Sequence, residues 1–364
     1  MADFQANFRW GWNSYFDAIW HDGAVDGAVP ARVIAQQRGF WRVAGGFAEC
    51  WAEASGKLRL AADADAEWPA VGDWVAVEIR DGEKSALILE VLPRRSRFVR
   101  KSPGKKVEEQ VIAANVDTAL LVSALDGDFN PRRMERYLAQ CWESGAKPAL
   151  VLNKADACAD PLARAAEIER VALGAPVYLI SARTGEGFEE LEKMLTPGQT
   201  FVLLGSSGVG KSTVANRLLE ESRQEVQAVR EGDSRGRHTT TVRELFVLPG
   251  GALLMDTPGL REVQLWDAEE GLAEVFADID LLAAQCRFGD CKHEAEPGCA
   301  IRAAVGAGTL DQARLESQRK LLKEQEFLRR KVDPEARVEA KQRIKHINRD
   351  MRKVYRERNT SGKK

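Results

Sequence analysis

Long apolar runs are missing from this sequence. No stretch approaches the roughly 20 apolar residues that a membrane-spanning helix requires. The first twenty residues are interrupted by polar side chains such as Asp17 and contain no apolar core of the kind found in signal peptides. We therefore expect a cytoplasmic protein without membrane contact.

Cysteine is scarce, with six in 364 residues, which argues against a disulfide scaffold. Half of these residues are scattered, namely Cys50, Cys141 and Cys158. The others surround a histidine in the order Cys286, Cys291, His293 and Cys299. Three thiolates and one imidazole predict a closed, structural zinc site. The alternatives are free buried cysteines beside a surface histidine, or a redox-active thiol site.

Charge is unevenly distributed along the chain. The formal net charge is −2, but residues 311–364 contain 18 basic and 9 acidic residues, a local net of +9 that leaves −11 for residues 1–310. A basic tail on an acidic body predicts a polyanionic partner. Two helices are predicted in this region, at residues 310–331 and 335–358. Their basic faces either remain solvated or contact RNA.

The first third of the chain is typical of a small barrel. Residues 1–29 are aromatic-rich and are expected to form a short helix that packs on the segment after it. Short strands separated by Gly or Asp turns are predicted at residues 31–35, 39–43, 48–52, 74–79 and 86–91. An OB-fold fits the size, and an SH3-like barrel is the alternative. Residues 93–106 are predicted to be a basic connector, either solvated or in contact with a phosphate backbone.

Strands and helices alternate from residue 118 onward. Strands are predicted at residues 118–123, 148–152, 176–180, 201–204, 242–247 and 252–255. Helices are predicted at residues 131–144, 160–173 and 187–195. This alternation predicts an α/β fold, a parallel sheet with helices on both faces.

A phosphate-binding loop is predicted at residues 205–212, GSSGVGKS, between an apolar strand and a helix that begins near Lys211. Its backbone N–H groups should cradle phosphate oxygens; the residues are Gly205, Ser206, Ser207, Gly208, Val209 and Gly210. Lys211 should contact the β- and γ-phosphates, and Ser212 should place its hydroxyl on Mg²⁺. Thr213, the next residue, completes this part of the predicted site.

A guanine-binding motif is predicted earlier in the chain. The tetrapeptide Asn153, Lys154, Ala155, Asp156 matches N-K-x-D and follows a predicted strand. The carboxylate of Asp156 can accept hydrogen bonds from guanine N1–H and the exocyclic amine, which adenine does not offer as a pair. Asn153 should brace the loop and touch the base, while Lys154 should lie against its face. One βα unit later, the triplet Ser181, Ala182, Arg183 resembles the segment whose backbone receives guanine O6.

Two further segments complete the predicted GTP site. Asp256 and Gly259 belong to a D-T-P-G motif after the strand at 252–255. Asp256 should lie near the magnesium ion, beyond its direct ligands, and the Gly259 N–H should meet the γ-phosphate. The polar segment 232–241, GDSRGRHTTT, is typical of a switch. One of its threonines is expected to join Ser212 as a magnesium ligand when GTP is bound, and Thr240 is favoured over Thr239 and Thr241.

The guanine motif precedes the phosphate loop, which reverses the order found in ordinary small GTPases. A sheet tolerates such a permutation because chain ends and loop tips accept new connections. The order NKAD, SAR, GSSGVGKS, GRHTTT, DTPG and the Cys/His cluster resembles the circularly permuted GTPases of bacteria that depend on the small ribosomal subunit, the RsgA family. The resemblance covers nearly the whole chain.

This resemblance implies a fold and a function. The fold is a permuted P-loop GTPase domain at 106–265, between an OB-type barrel at 30–105 and a zinc-binding helical domain with a basic tail at 266–364; residues 1–29 form an extension. The function is GTP hydrolysis in late assembly of the small (30S) subunit, stimulated by that subunit and accompanied by rRNA binding. A monomer is expected.

Other functions remain open on the residues alone. The chain could be a GTP-dependent RNA-binding module whose hydrolysis is incidental. It could also be an ATPase, although Asp156 argues against adenine.

The residue that positions the attacking water is not the usual one. Many small GTPases carry a glutamine two positions after the D-x-x-G glycine, whereas this chain has Arg261 there. His238, beside the switch threonines, is the candidate favoured by both its chemistry and the family resemblance. Alternatively, His238 is an exposed loop residue and the ribosome supplies or orders the missing group.

We therefore predict that His238→Ala slows ribosome-stimulated GTP hydrolysis while GTP affinity stays close to normal, because imidazole would act on the water and not on the nucleotide. Turnover assays with small subunits and a separate nucleotide-binding titration check this. Unchanged turnover would remove His238 from the mechanism.

Overall fold

A computed structural model of the chain describes residues 7–23, 25–37, 39–61, 68–80, 85–101, 109–219, 243–256 and 269–332. No helix in these ranges is both long and apolar enough to cross a membrane. The second predicted tail helix, residues 335–358, lies outside the described residues.

A closed five-stranded barrel forms the N-terminal part. Its strands are β1 (Val29–Gln37), β2 (Phe40–Gly45), β3 (Cys50–Ala54), β4 (Trp74–Arg80) and β5 (Ser85–Val91). Their spatial order is β1-β2-β3-β5-β4, and β4 returns to pair with β1. This closure, with a helix between β3 and β4, decides between the two barrel types in favour of the OB-type. The interior is apolar and includes Val33, Trp41 and Ile88.

Two helices accompany the barrel. The first, α1 (Ser14–Gly23), lies in the aromatic-rich N-terminal segment, and the second, α2 (Gly56–Ala61), connects β3 to β4. Phe16 and Trp20 of α1 are buried, and the ring of Trp12 meets that of Trp74 edge-on at 4.6 Å. The aromatic residues therefore pack α1 against the barrel, as the sequence predicts.

Part of the predicted basic connector, residues 97–101, forms a strand. Within it, β6 (Arg97–Lys101) pairs antiparallel with β7 (Glu109–Ala114) as a separate two-stranded sheet. Phe98 is buried in the core, which gives this basic strand an apolar anchor. Arg94 donates to both carboxylate oxygens of the fully buried Asp73 at 2.8 and 2.7 Å. Arg94 is therefore a structural ion-pair partner and is not available for a phosphate backbone.

The α/β part of the main sheet has the predicted pattern. Its strands are β8 (Thr118–Ala124), β9 (Lys147–Asn153), β10 (Val177–Leu179), β11 (Thr200–Leu204), β12 (Arg243–Val247) and β13 (Leu253–Asp256). The order is β10-β9-β8-β11-β13-β12, with only β12 antiparallel to its neighbour among these strands. The strand that precedes the phosphate loop, β11, therefore lies between a strand from earlier in the chain and one from later.

Helices cover both faces of this sheet. They are α3 (Pro131–Glu143), α4 (Pro161–Ala172), α5 (Phe188–Met194) and α6 (residues 211–219). Alternation along β8 sends Leu121 into the core that contains α3 and α4, and Leu120 into the core that contains α5 and α6. Both α3 and α4 begin with proline after a side-chain cap: Asn130 accepts from the N–H groups of Arg132 and Arg133, and Asp160 from that of Ala163.

The barrel and the α/β sheet are joined into one eleven-stranded sheet because β1 pairs with β12, with Ala35 opposite Glu244. Beside this seam Arg32, which is 1% exposed, donates to the carbonyl of Asn115 and the hydroxyl of Thr200, each at 3.1 Å. Burial lowers the pKa of Arg32 to about 10, although Asp117 and Asp73 oppose the shift. A buried arginine thus links the barrel to the strand that precedes the phosphate loop.

Four helices form the described C-terminal part: α7 (Glu269–Val275), α8 (Ala277–Ala283), α9 (Ala300–Gly306) and α10 (Gln312–Val332). The last agrees with the first predicted tail helix. At Gly271 of α7, an added Cβ would lie 2.0 Å from the carbonyl oxygen of Ala139 in α3. Glycine therefore allows α7 to approach α3 closely, and the C-terminal helices pack directly on the α/β domain.

Candidate nucleotide site and metal centre

The phosphate loop lies where the carboxyl end of β11 meets helix α6. An added Cβ at Gly205 would lie 2.3 Å from the carbonyl oxygen of Val122, and one at Gly210 would lie 2.3 Å from Nδ2 of Asn153. Gly208 and Gly210 both have φ near +90°, a conformation that costs glycine little. The glycines therefore allow the loop to turn sharply and to pack closely against neighbouring strands.

Residues Lys211, Ser212 and Thr213 begin helix α6, so the positive end of the helix dipole points into the loop. The ammonium of Lys211 donates to the carbonyl oxygen of Gly205 at 2.6 Å and also to that of Ser206. The lysine therefore arches back over the concave face of the loop. Its charge lies where a bound anion would be neutralised.

One buried side chain joins the phosphate loop to the guanine motif. Asn153, at the end of β9, donates from Nδ2 to the carbonyl oxygen of Val209 at 2.9 Å. Its Oδ1 accepts from the backbone N–H of Ala182 at 2.9 Å. The N-K-x-D motif, the triplet at residues 181–183 and the phosphate loop therefore meet at the side-chain amide of Asn153, although they are far apart in sequence.

Lys154 forms a second bridge. It adopts a left-handed backbone conformation with φ of 66°. Its ammonium donates to the carbonyl oxygen of Gly208 at 2.9 Å and to the carboxylate of Asp126 at 2.7 Å. The aliphatic part of the side chain is thereby held across the gap between the two motifs.

Asp156 presents a carboxylate beside these bridges. The hydroxyl of Ser181 donates to its Oδ1 at 2.7 Å, and the exposed Arg183 approaches Oδ2 at 2.5 Å. The Ser181 hydrogen bond and the charge of Arg183 lower the pKa of Asp156. The backbone N–H of Ala155 donates to the carbonyl oxygen of Ile180 at 3.1 Å, which holds the loop on the next strand. The carboxylate remains ionised and acts only as an acceptor.

Sequence reasoning missed three residues at this site. Asp126 holds Lys154, while Arg133 and Tyr137 of α3 contact Ser206 of the phosphate loop. Asp126 lies just beyond the carboxyl end of β8. The rule that ligands bind at the carboxyl ends of parallel strands could have drawn attention to it. Nothing in the local sequence distinguishes Arg133 from the other arginines of α3.

Part of the predicted site lies outside the described residues. The described residues include the backbone of Asp256, at the end of β13, but not its side chain. Gly259, His238 and Thr240 lie outside the described residues. The geometry therefore covers the phosphate loop and the guanine motifs, and the switch assignments stay predictions.

The Cys/His cluster is assembled as a potential metal centre. The ligand atoms of Cys286, Cys291, His293 and Cys299 all lie within 4.8 Å of one another. Nδ1 of His293 is 3.5 Å from the sulfurs of Cys286 and Cys299, which are themselves 3.9 Å apart. A tetrahedron with metal–sulfur distances of about 2.3 Å has edges of roughly 3.8 Å, so the spacing suits one metal ion.

Neighbouring elements hold the cluster in place. Cys299 caps helix α9, where its sulfur accepts from the N–H of Arg302 at 3.4 Å. Arg319 of α10 donates to the carbonyl oxygen of His293 at 3.1 Å. The cluster therefore connects the loop between α8 and α9 to the long helix α10.

Comparison with known proteins identifies the family. Residues 91–266 match the family model described as RsgA GTPase. A relative in Opitutus terrae, named small ribosomal subunit biogenesis GTPase RsgA, is 47% identical over 333 residues, 89% of this chain and 91% of that protein. This chain belongs to the RsgA family. A family member of the same name in Syntrophotalea carbinolica is 45% identical over 355 residues, 95% of this chain and 97% of its own length.

Solved structures give the same result for the fold. YjeQ from Thermotoga maritima superposes with a TM-score of 0.62 at 27% identity, covering 82% of this chain and 98% of YjeQ. YloQ, described as a circularly permuted GTPase, superposes with a TM-score of 0.59 at 23% identity, covering 83% of this chain and 96% of YloQ. The predicted family and the predicted permuted fold are both confirmed.

The Ser181–Asp156 hydrogen bond can be tested directly. A depressed pKa keeps the carboxylate ionised to lower pH, and any stability it contributes is lost only as pH falls through the folded-state pKa. Ser181→Ala should therefore raise the pKa of Asp156 toward the ordinary carboxyl range. An NMR pH titration of the Asp156 carboxyl carbon measures this. Thr184→Val, in the same loop, is the control, and an unchanged Asp156 titration in Ser181→Ala would contradict the assignment.

Proposed function

We propose that this chain binds GTP with Mg²⁺, hydrolyses it to GDP and phosphate, and acts in the assembly of the small ribosomal subunit. The observation that carries the proposal is the pair of bridges from Asn153 and Lys154 to the phosphate loop, at Val209 and Gly208. One nucleotide can span the two motifs only if they are neighbours, and these bridges make them so. The relatives named above carry the biological role in their names.

The base is recognised by the first pair of motifs. Asp156 accepts from guanine N1–H and the exocyclic amine, which it can do while bonded to Ser181 because a carboxylate has about four acceptor positions. Arg183 is exposed and can move away from the second oxygen. The stem of Lys154 lies against the base, and the backbone at Ala182 receives guanine O6. An adenine would leave the charge of Asp156 without its two donors.

The phosphates are bound by the loop from Gly205 to Gly210, whose N–H groups face the anion. Lys211 exchanges its two carbonyl contacts for the β- and γ-phosphates, and Ser212 places its hydroxyl on Mg²⁺. A Mg²⁺ ion held by Ser212 would neutralise charge that develops on the phosphate oxygens. In this proposal Thr240, Asp256 and Gly259 close the site on the γ-phosphate side.

Water attack requires a positioned group. We assign this role to His238, whose imidazole can orient a water or accept its proton near neutral pH. Stimulation by the small subunit follows if the ribosome orders this segment or adds a group to it. Release of phosphate then removes the γ-phosphate that the Gly259 N–H would contact.

The remaining parts of the chain are assigned to the ribosomal partner. We propose a barrel domain at 30–105, a GTPase domain at 106–265, and a zinc-binding domain with a basic tail at 266–364, preceded by an extension at 1–29. The tail's net charge of +9 suits rRNA phosphates. The chain is proposed to act as a monomer in the cytoplasm, where small subunits are assembled.

Turnover assays test this function. Purified protein should hydrolyse GTP slowly alone or with large subunits, and on the order of a hundredfold faster with small subunits, the size of effect expected when a catalytic group is supplied or ordered.

Asp156→Asn should weaken GTP and GDP binding on the order of a hundredfold or more, because guanine loses its acceptor pair. A nucleotide-binding titration measures this.

Asp160→Asn is the matched control, because asparagine still caps α4 and the carboxylate lost lies outside the site. GTP binding without any stimulation would instead favour an RNA-binding module with incidental hydrolysis. Equal competition by ATP would contradict the guanine assignment.

Zinc content provides an independent test. We propose that Cys286, Cys291, His293 and Cys299 hold one structural Zn²⁺, so protein purified under reducing conditions should contain about one zinc ion per chain. Cys291→Ser should lose most of the metal and lower the melting temperature, since such ions contribute to folding. Cys158→Ser, outside the cluster, should change neither. Metal analysis that returns little zinc in the unaltered protein would reject the site.

A further inference from the structure

Helix α3 contacts the phosphate loop through one face. Arg133 donates from Nη1 to the hydroxyl oxygen of Ser206 at 2.8 Å, and the hydroxyl of Tyr137 lies 3.3 Å from the same atom. Residues 133 and 137 are four apart, so they share one face of the helix. Asp128 pairs with Arg133 and orients its guanidinium. Two side chains of α3 thus converge on the second residue of the loop.

The C-terminal helix α10 contacts a different face of the same turns of α3. Glu135, which is fully buried, accepts from Arg314 of α10 at 2.8 Å. Arg136 forms a two-pronged ion pair with Glu324 of α10, with both N–O distances at 2.6 Å. Such paired arginine–carboxylate contacts constrain orientation as well as distance.

Further contacts keep α3 and the C-terminal helices together. The guanidinium of Arg314, only 4% exposed, also bonds Asp278 at 2.8 and 3.0 Å. Farther along α3, the carboxylate of Glu143 accepts from the N–H of Gly271 at 3.1 Å. These contacts join α3 to α10 through Glu135 and Arg136, and to α7 through Glu143.

We infer that α3 couples the phosphate loop to the C-terminal helices, with Arg133 and Tyr137 acting as positioning residues through Ser206. The inference rests on the proposed function, because the coupling changes nucleotide affinity only if the loop binds a nucleotide. The backbone carbonyl oxygen of Ser206 also accepts from Lys211, the residue that must move to contact phosphate. The position of Ser206 therefore depends on the nucleotide on one side and on α3 on the other.

Coupling of this kind is reciprocal. If docking of α10 on α3 holds the loop ready for phosphates, a bound nucleotide must strengthen that docking by the same factor. This route runs through side-chain contacts of α3. It allows a partner that pulls on the C-terminal helices to change nucleotide affinity without touching the nucleotide.

The experiment combines variants in a double-mutant cycle. Glu324→Gln removes the ion pair with Arg136, and Ser206→Ala removes the hydroxyl that α3 holds. Dissociation constants for GDP and GTP with Mg²⁺ are measured for the unaltered protein, each variant and the double variant. Glu324→Gln should weaken binding of both nucleotides roughly two- to tenfold, the range of one hydrogen bond. In the Ser206→Ala background the same change should have no effect.

Controls separate coupling from damage to the fold. Glu316→Gln is the matched control on α10, because Glu316 is exposed and accepts from Gln312 of the same helix. It should leave both dissociation constants unchanged. The charge exchange Arg136→Glu with Glu324→Arg should restore binding, and melting temperatures verify folding of every variant.

The outcomes distinguish this inference from the proposed function. If the unaltered protein binds GDP and GTP, but Glu324→Gln changes nothing or changes affinity equally with and without the Ser206 hydroxyl, the coupling is overturned and the GTPase assignment stands. If the unaltered protein binds neither nucleotide, the proposed function itself fails.

Discussion

The nucleotide site depends on the amide of Asn153. This side chain is almost fully buried and connects the end of β9 to the carbonyl of Val209 and the N–H of Ala182. An amide can do this because it donates from one atom and accepts at the other, which no carboxylate or ammonium does. The other base and phosphate contacts require the distance between the motifs that this bridge sets.

Permutation of the chain order is compatible with this bridge because the bridge depends on where the strands lie in the sheet and not on their order in the sequence. Strands β8 and β11 are neighbours in the sheet although β9 and β10 intervene in sequence. All parallel strands still present their carboxyl ends at one edge, where loops meet ligands. The rearrangement moves the chain termini while the edge that binds the nucleotide keeps its composition.

Basic residues in this chain have several roles, and composition alone does not separate them. Arg32 links the barrel to β11, Arg94 neutralises Asp73, and Arg314 joins Glu135 to Asp278. Each is at least mostly withdrawn from solvent, where a charge requires partners to remain stable. A search for RNA contacts should therefore exclude these three, although all of them add to the basic count.

Sequence alone determined the motif chemistry, the alternating strands and helices of the α/β domain and the family, because glycine, lysine and carboxylate spacing follows from local geometry. It predicted residues 205–212 between a strand and a helix, and the Cys/His cluster, on that basis. Tertiary structure alone decided the barrel type, the strand hidden at Arg97–Lys101 and the roles of Arg133 and Asp126. These depend on contacts between distant segments, and no local pattern specifies which arginine or carboxylate will find a partner across the fold.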